Sequence, residues 1–248
     1  MITALTGLKV HSDGAHCKSC IPYDLNTRIV DMGRIFSTSN ESEAVDLVRK
    51  YTTISPEDCR NVRDEFGSIV PDNACNSVNE AFVIVSRDLV GKYYWISYYG
   101  SFDYESMSGK HTSYVYLQFT GEDINGNSLY GDKGIDVIRI ERRDGQVIPS
   151  FALPVEAIKT YNIGHINEIV FFDEQGDEKR LDLPDSTNET DTKKSLLWVS
   201  PNWKYIVIMT DDVKDSMLAR LGFFGGRGLE HFQLVFENPT VKIYKVRI

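Results

Sequence analysis

Positive charge is scarce in this sequence: 27 Lys and Arg stand against 36 Asp and Glu, a formal charge of −9 over 248 residues. That balance argues against nucleic-acid binding through a general basic field. Long apolar runs are missing too. The longest extend over about five or six residues, whereas a membrane-spanning helix needs roughly 18 or more. Residues 1–8 carry neither a basic stretch nor an apolar core of signal-peptide length. Complete catalytic signatures are also lacking: there is no GxSxG, no HExxH, no P-loop, and no GxGxxG opening a helix after a strand. Gly222-Phe-Phe-Gly-Gly-Arg-Gly228 is glycine-rich but follows an expected helix, which suits a loop around a tight helix end better than a phosphate cradle. Acids are plentiful, but nothing in the sequence brings two carboxyls to a glycosidase separation, so a free-standing hydrolase has no assembled machinery. Internal repeats and low-complexity tracts are absent.

What is present is an ordinary globular composition. Apolar residues make up 42%, and 13 Tyr, 12 Phe and 3 Trp are far too many for a disordered chain. At about 150 residues per domain, the length suggests one large or two smaller domains. The composition predicts a soluble, acidic, folded chain. Its four cysteines comprise Cys17-Lys-Ser-Cys20 and a distant pair, Cys59 and Cys75, which bracket a loop-rich stretch with Pro71, Asp72 and Asn73. An even count fits disulfides 17–20 and 59–75 in an oxidising compartment. The alternative is a zinc ion held by four thiolates, or by Cys17, Cys20 and His16 with another ligand. For His11 and His16, near Asp13 and Cys17, a solvated loop is the commoner explanation.

Residues 40–51 predict a helix. Asn40 can cap it and Glu43 can close a capping box. Ala44, Leu47, Val48 and Tyr51 form one stripe, and Arg49-Lys50 end it as the macrodipole favours. Ser55-Pro56 opens a second helix, with Cys59, Val62 and Phe66 on one face and Gly67 beyond its end. The short apolar run 81–86 predicts a buried strand, followed by a helix from 88 to 98. After Gly100 the pattern alternates. Segments 111–119, 136–142, 168–172 and 179–183, with turn signals Asn125-Gly126, Asp144-Gly145 and Gln175-Gly176, predict an antiparallel β insertion. A polar tract at 185–194 reads as a loop. Beyond it come a buried strand at 205–209, a helix at 211–221 capped by Thr210, and two strands near 232–236 and 241–248. The fold class is therefore α+β: a mixed, largely helical central core built from residues 1–110 and 201–248, with a β-barrel-like insertion at 111–200.

The segment from Ser86 to Phe102 has the most unusual texture. On a continuous helix, Asp88, Lys92 and Ile96 fall at i, i+4 and i+8 on one face, Gly91 weakens the helix, and six aromatics crowd the segment. A surface ion pair beside an aromatic core face is the ordinary explanation; the functional one is a shallow pocket lined by Lys92 and Ile96, with Asp88 orienting the lysine.

Three stretches give a resemblance. Residues 34–51, residues 81–92, and the ending formed by 216–224, 231–238 and 241–246 resemble the carboxy-terminal globular domain of the archaeal oligosaccharyltransferase catalytic subunit. The insertion is only generically similar. The resemblance implies a polytopic membrane enzyme that moves an oligosaccharide from a lipid carrier to Asn in Asn-X-Ser/Thr. Its catalytic carboxylates, a divalent metal (Mn or Mg) and the lipid-donor site belong to the membrane half. No cofactor is expected in this chain. The globular half lies on the extracytoplasmic face and reads the Ser or Thr two residues after the acceptor Asn, through a WWDYG signature and a DK motif. Asp88, Lys92 and Ile96 match the DK motif in order, with an Asp–Lys spacing of four where three is commonest. WWDYG is absent, so the chain is expected to be a fragment beginning just after it, monomeric and inactive by itself.

The chain has acceptor sequences of its own at Asn40-Glu-Ser42 and Asn188-Glu-Thr190, whereas proline excludes Asn238-Pro-Thr240. The competing function is an extracellular carbohydrate-binding or adhesion module, with Tyr93, Trp95, Trp198 and Trp203 stacking on sugars.

Overall fold

A computed structural model of the chain describes residues 23–66, 78, 80–132, 135–143, 146–151, 165–184 and 194–248. Cys17, Cys20, Cys75, His11, His16 and Asn188 lie outside them. In chain order the elements begin with helices α1 (Leu25–Ser37), α2 (Glu41–Thr52) and α3 (Pro56–Phe66), strand β1 (Ala81–Ser86), and short helices α4 (Arg87–Gly91) and α5 (Tyr93–Gly100). Eight strands follow: β2 (Val115–Glu122), β3 (Ser128–Asp132), β4 (Ile135–Arg143), β5 (Gln146–Phe151), β6 (His165–Phe172), β7 (Glu178–Asp182), β8 (Lys194–Val199) and β9 (Tyr205–Thr210). Helices α6 (Asp211–Lys214) and α7 (Met217–Gly222) and strands β10 (Phe232–Glu237) and β11 (Val241–Val246) complete the chain. The architecture is α+β, in two compact units: Met1–Thr112 with Asp215–Ile248, and Ser113–Lys214.

The first unit joins helices to a three-stranded antiparallel sheet of order β1-β11-β10. Its core contains Val30, Ile35, Phe36, Val48, Val83, Tyr93, Leu218 and Tyr244, among others. Helix α2 starts where expected, with Asn40 Oδ1 accepting the N–H groups of Ser42 (3.0 Å) and Glu43 (3.4 Å). The capping box does not close as expected. Thr38 intervenes, donating its hydroxyl to Glu43 and accepting the Asn40 N–H at 3.1 Å. The inward stripe is Ala44, Val45, Val48 and Thr52, with Leu47 and Tyr51 half-buried.

Helix α1 has no counterpart in the sequence expectations. Its inward face carries Arg28 and Asp31 beside Val30, Ile35 and Phe36, so it shows no clean apolar stripe. Asp31 is buried and satisfied by the Lys50 ammonium and the Tyr51 hydroxyl, both at 2.6 Å. Lys50 also lies 4.4 Å from the Tyr23 ring centroid, and the Tyr23 hydroxyl donates to Asp58 of α3 at 3.3 Å. Three helices are thus tied by one polar and aromatic cluster.

Strand β1 is half-buried instead of wholly buried. Ala81, Val83 and Val85 face the core, while Phe82 and Ile84 are exposed, because the sheet is covered on one face only. The pairing of β10 with β11 slips between Leu234 and Phe236, leaving Val235 as an extra residue in β10. The tight connection after it is built by Asn238 Oδ1, which accepts from Thr240 N, Thr240 Oγ1 and Val241 N at 2.8–3.0 Å.

The second unit is an eight-stranded, barrel-like sheet of order β5-β4-β3-β2-β9-β8-β6-β7 around a core that includes Leu117, Tyr130, Ile140, Ile169, Leu197 and Ile206. Two turns share one construction. Asp123 accepts the N–H groups of Asn125 and Asn127, and Asp173 accepts those of Gln175 and Asp177. Gly126 (φ +78°) and Gly176 (φ +83°) take the left-handed position that each turn needs. The sheet is not wholly antiparallel as expected: β6 and β8 run parallel. The unit also extends past residue 200, because β9 pairs with both β2 and β8. The helix expected at 211–221 is two helices. Ser216 interrupts it by accepting the Ala219 N–H as a new N-cap, and the two halves belong to different units.

Tyr51, Tyr130 and Tyr244 are held protonated above the ordinary tyrosine range, chiefly by burial, with Tyr130 pushed up to about 12. An unfolded tyrosine ionises near pH 10, so above that pH the folded chain binds more protons than the unfolded one. Stability should therefore fall as pH rises from about 10 toward 12. Denaturant midpoints between about pH 9 and pH 12, with tyrosinate absorbance followed in parallel, measure this. Flat stability, with all 13 tyrosines ionising near 10, would contradict it.

Candidate functional site

The site begins with two glycines. A Cβ placed on Gly33 of α1 would lie 2.5 Å from the Gly100 nitrogen and 2.9 Å from the Ile96 carbonyl oxygen. One placed on Gly100 would meet the Ser37 hydroxyl at 2.0 Å and the Gly33 carbonyl oxygen at 2.6 Å. Helices α1 and α5 therefore pack backbone against backbone, an approach open only to glycine. Two serines also hold α5. Ser97 Oγ accepts the Thr112 N–H at 2.9 Å, and Ser101 Oγ accepts the Lys110 N–H at 2.7 Å. Gly109 presses so closely on Tyr98 that a Cβ there would lie 2.1 Å from its carbonyl oxygen.

On this support stand the three residues singled out from the sequence. Lys92 Nζ donates to Asp88 at 2.8 Å, and the Ser86 hydroxyl donates to the same carboxylate. Those two hydrogen bonds, the lysine's first, hold the Asp88 carboxyl below the usual carboxylate range. Both side chains of the pair are 62% exposed, so the pair is worth only about 0.2–1 kcal/mol of stability. What it fixes is the direction of the ammonium group.

The continuous helix expected here is broken. Helix α4 ends at Gly91, and Lys92 (φ −104°, ψ 2°) forms the joint with α5. Asp88 and Ile96 therefore do not stack on one helix. They meet through Lys92, whose carbonyl accepts the Ile96 N–H at 3.1 Å. The result is a charged head beside a half-buried apolar side chain one turn away.

Around this joint the aromatics are organised by His111, which carries no local sequence signal and was not anticipated. Its ring stacks on Tyr94 (3.8 Å between centroids, 8°) and on Tyr98 (4.5 Å, 20°), and meets Trp95 edgewise at 5.3 Å. His111 Nδ1 lies 3.0 Å from the Tyr94 carbonyl, which can only accept, so Nδ1 carries the proton. Of the four aromatics offered for sugar stacking, Tyr93 and Trp198 are buried. Trp203 is half-buried with the Arg142 guanidinium 3.7 Å from its ring. Trp95 alone of the four is broadly exposed, at 55%.

The remaining candidates stand apart from this site. Cys59 on α3 is disulfide-bonded. Asn40 is exposed but occupied as a helix cap. The glycine-rich loop after α7 wraps the helix end, with the Gly226 N–H donating to the Arg220 carbonyl at 2.8 Å. A Cβ on Gly226 would strike the Tyr244 ring at 2.8 Å. Among the described residues no group of three His, Cys, Asp or Glu side chains could hold a metal ion, and no helix is long and apolar enough to cross a membrane.

The fold is shared with a solved structure. The crystal structure of the C-terminal domain of C. jejuni PglB, an oligosaccharyltransferase, matches 100% of this chain over 88% of its own length, with a TM-score of 0.54 and 14% sequence identity. No protein-family model matches the chain, and no curated protein does.

The glycine crossing yields a paired test. Gly33→Ala forces the helices apart and should cost about 1–3 kcal/mol. Gly91→Ala, with nothing within 4 Å of the new carbon, should be neutral or gain about 0.4–1 kcal/mol. Denaturant unfolding followed by circular dichroism compares them, and equal stabilities would refute the crossing.

Proposed function

We propose that this chain is the carboxy-terminal, extracytoplasmic domain of an archaeal-type oligosaccharyltransferase catalytic subunit. In this reading it contributes to recognising the Ser or Thr two residues after the acceptor Asn. The observation that carries the reading is the joint at Lys92: an ammonium aimed by Asp88, one turn from the apolar Ile96, in a fold matched over the whole chain. A Ser or Thr side chain presents a hydroxyl beside a methylene or methyl group. Lys92 offers a donor to the hydroxyl oxygen, and Ile96 offers a wall to the carbon. Asp88 keeps the ammonium extended and shares its charge, so that a neutral hydroxyl is bound without attracting any passing carboxylate. A site built to bond a hydroxyl penalises analogues without one, because its polar groups are then left unpaired.

The catalytic carboxylates, the Mn or Mg ion and the lipid-linked oligosaccharide belong, in this reading, to a membrane half outside this chain. The chain acts as a monomeric part of that enzyme on the outer face of the membrane. Expressed alone it binds acceptor polypeptide weakly and transfers nothing. The charge-assisted hydrogen bond that Lys92 would donate is of the kind worth about 1.5–3 kcal/mol.

The test is made in the enzyme that carries this chain. Lys92→Ala should lower kcat/KM for an Asn-Ala-Thr peptide by roughly 10- to 100-fold. The variant should also narrow the preference for threonine over its isostere valine at that position. Unchanged turnover and unchanged Thr/Val discrimination would remove Lys92 from the site.

A further inference from the structure

Helix α5 exposes more than the Lys92–Ile96 pair requires. Counting from Lys92, Trp95 is at i+3 and Tyr99 at i+7, so both share its face of the helix. They remain 55% and 37% exposed. Tyr93 and Ser97 point inward, leaving Lys92 between Ile96 on the core side and the two rings on the outer side. Trp95 is also braced. It makes T-shaped contacts with Tyr94 at 5.5 Å, Tyr98 at 6.1 Å and His111 at 5.3 Å, and His111 is itself clamped by the two tyrosines. A large ring held on several sides yet open to solvent loses little freedom when something packs on it.

We infer that the Trp95–Tyr99 ledge is a second subsite for the acceptor chain and takes the side chain two residues after the hydroxyl residue; this rests on the assignment of Lys92 and Ile96 made above. In an extended chain, alternate side chains point the same way, about 6.7 Å apart along the strand. If the hydroxyl side chain points at Lys92, its same-side neighbours are the residues two before and two after. The residue two before is the acceptor Asn, which must reach the catalytic centre. The residue two after is free to lie on α5. Helix residues at i and i+3 have Cβ atoms about 5–6 Å apart, about 1 Å short of that spacing and within the reach of long side chains such as Lys and Trp. The chemistry of the ledge selects an apolar or aromatic side chain. Asp88 beside Lys92 disfavours an acidic one.

The experiment measures kcat/KM for peptides Asn-Ala-Thr-Ala-Z, with Z as Phe, Leu, Gly or Asp, in the enzyme that carries this chain. Phe and Leu should exceed Gly by about three- to tenfold, and Asp should fall below Gly. Moving Phe one residue earlier, as Asn-Ala-Thr-Phe-Ala, should lose the advantage, since that side chain points away. Trp95→Ala should bring the Phe/Gly ratio close to one, while Trp95→Phe keeps most of it and controls for folding. Lys92→Ala should lower all peptides together and leave the ratio intact. A Phe/Gly ratio unchanged in Trp95→Ala, or a Trp95→Ala that depresses every peptide alike, overturns the subsite. An unaffected Lys92→Ala overturns the hydroxyl assignment instead; that failure is read in the overall kcat/KM of Lys92→Ala, whereas failure of the subsite is read in the Phe/Gly ratio of Trp95→Ala.

Discussion

Gly33 and Gly100 touch through their backbones, and the location of every residue in the Lys92 site follows from that contact. With no Cβ on either side, α1 and α5 approach more closely than any other residue pair would allow, and the Ile96 carbonyl lies against Gly33. A helix seated this way cannot slide or roll without opening a void, because packed interiors give up dispersion contacts steeply with distance. Ser97 and Ser101 then tie α5 to residues 110–112 as well. Recognition chemistry needs this kind of support. The ammonium and apolar wall proposed for Lys92 and Ile96 would discriminate only if their separation is held constant.

Two lysine–carboxylate pairs in the same unit show how burial divides labour. Lys50 and Asp31 meet at 2.6 Å with the carboxylate buried and further satisfied by Tyr51, and the pair ties helices together. Lys92 and Asp88 meet at 2.8 Å in the open, where water screens most of their attraction. The first pair is integral to the fold, and breaking it would strand a charge. The second can be interrupted at little cost, as the proposed binding and release of a hydroxyl side chain would require.

How much of this was legible in the sequence depended on the range of the interactions. Helix α2 was plain because Asn40, the acids and the Arg49-Lys50 end are all local signals. The turns at Asn125-Gly126 and Gln175-Gly176 were plain because glycine with a neighbouring side-chain acceptor fixes the conformation within five residues. Helix α1 was missed because its inward face includes Arg28, Asp31 and Gly33, whose reasons lie in Lys50, Tyr51 and Gly100, far along the chain. The parallel pairing of β6 with β8 could not be foreseen either, since alternation shows that a strand exists without naming its partner. Asp88, Lys92 and Ile96 were singled out by spacing, yet on the assumption of an unbroken helix. The joint at Lys92 carried a cue in Gly91. His111 carried none, because its stacking on Tyr94 and Tyr98 joins residues more than a dozen positions apart.

The slip in β10 at Val235 bears on how the chain behaves in solution. Among the described residues both outer strands of the order β1-β11-β10 are edges, and Phe82, Ile84, Val235 and Phe236 are exposed on them. An even, flat edge bearing such residues would template pairing with a neighbouring molecule. The extra residue twists β10 out of register, and the Lys242–Glu237 and Lys245–Glu80 ion pairs set charge beside the exposed apolar residues. A deletion that restored the register would straighten that edge and is expected to favour strand pairing between copies of the domain.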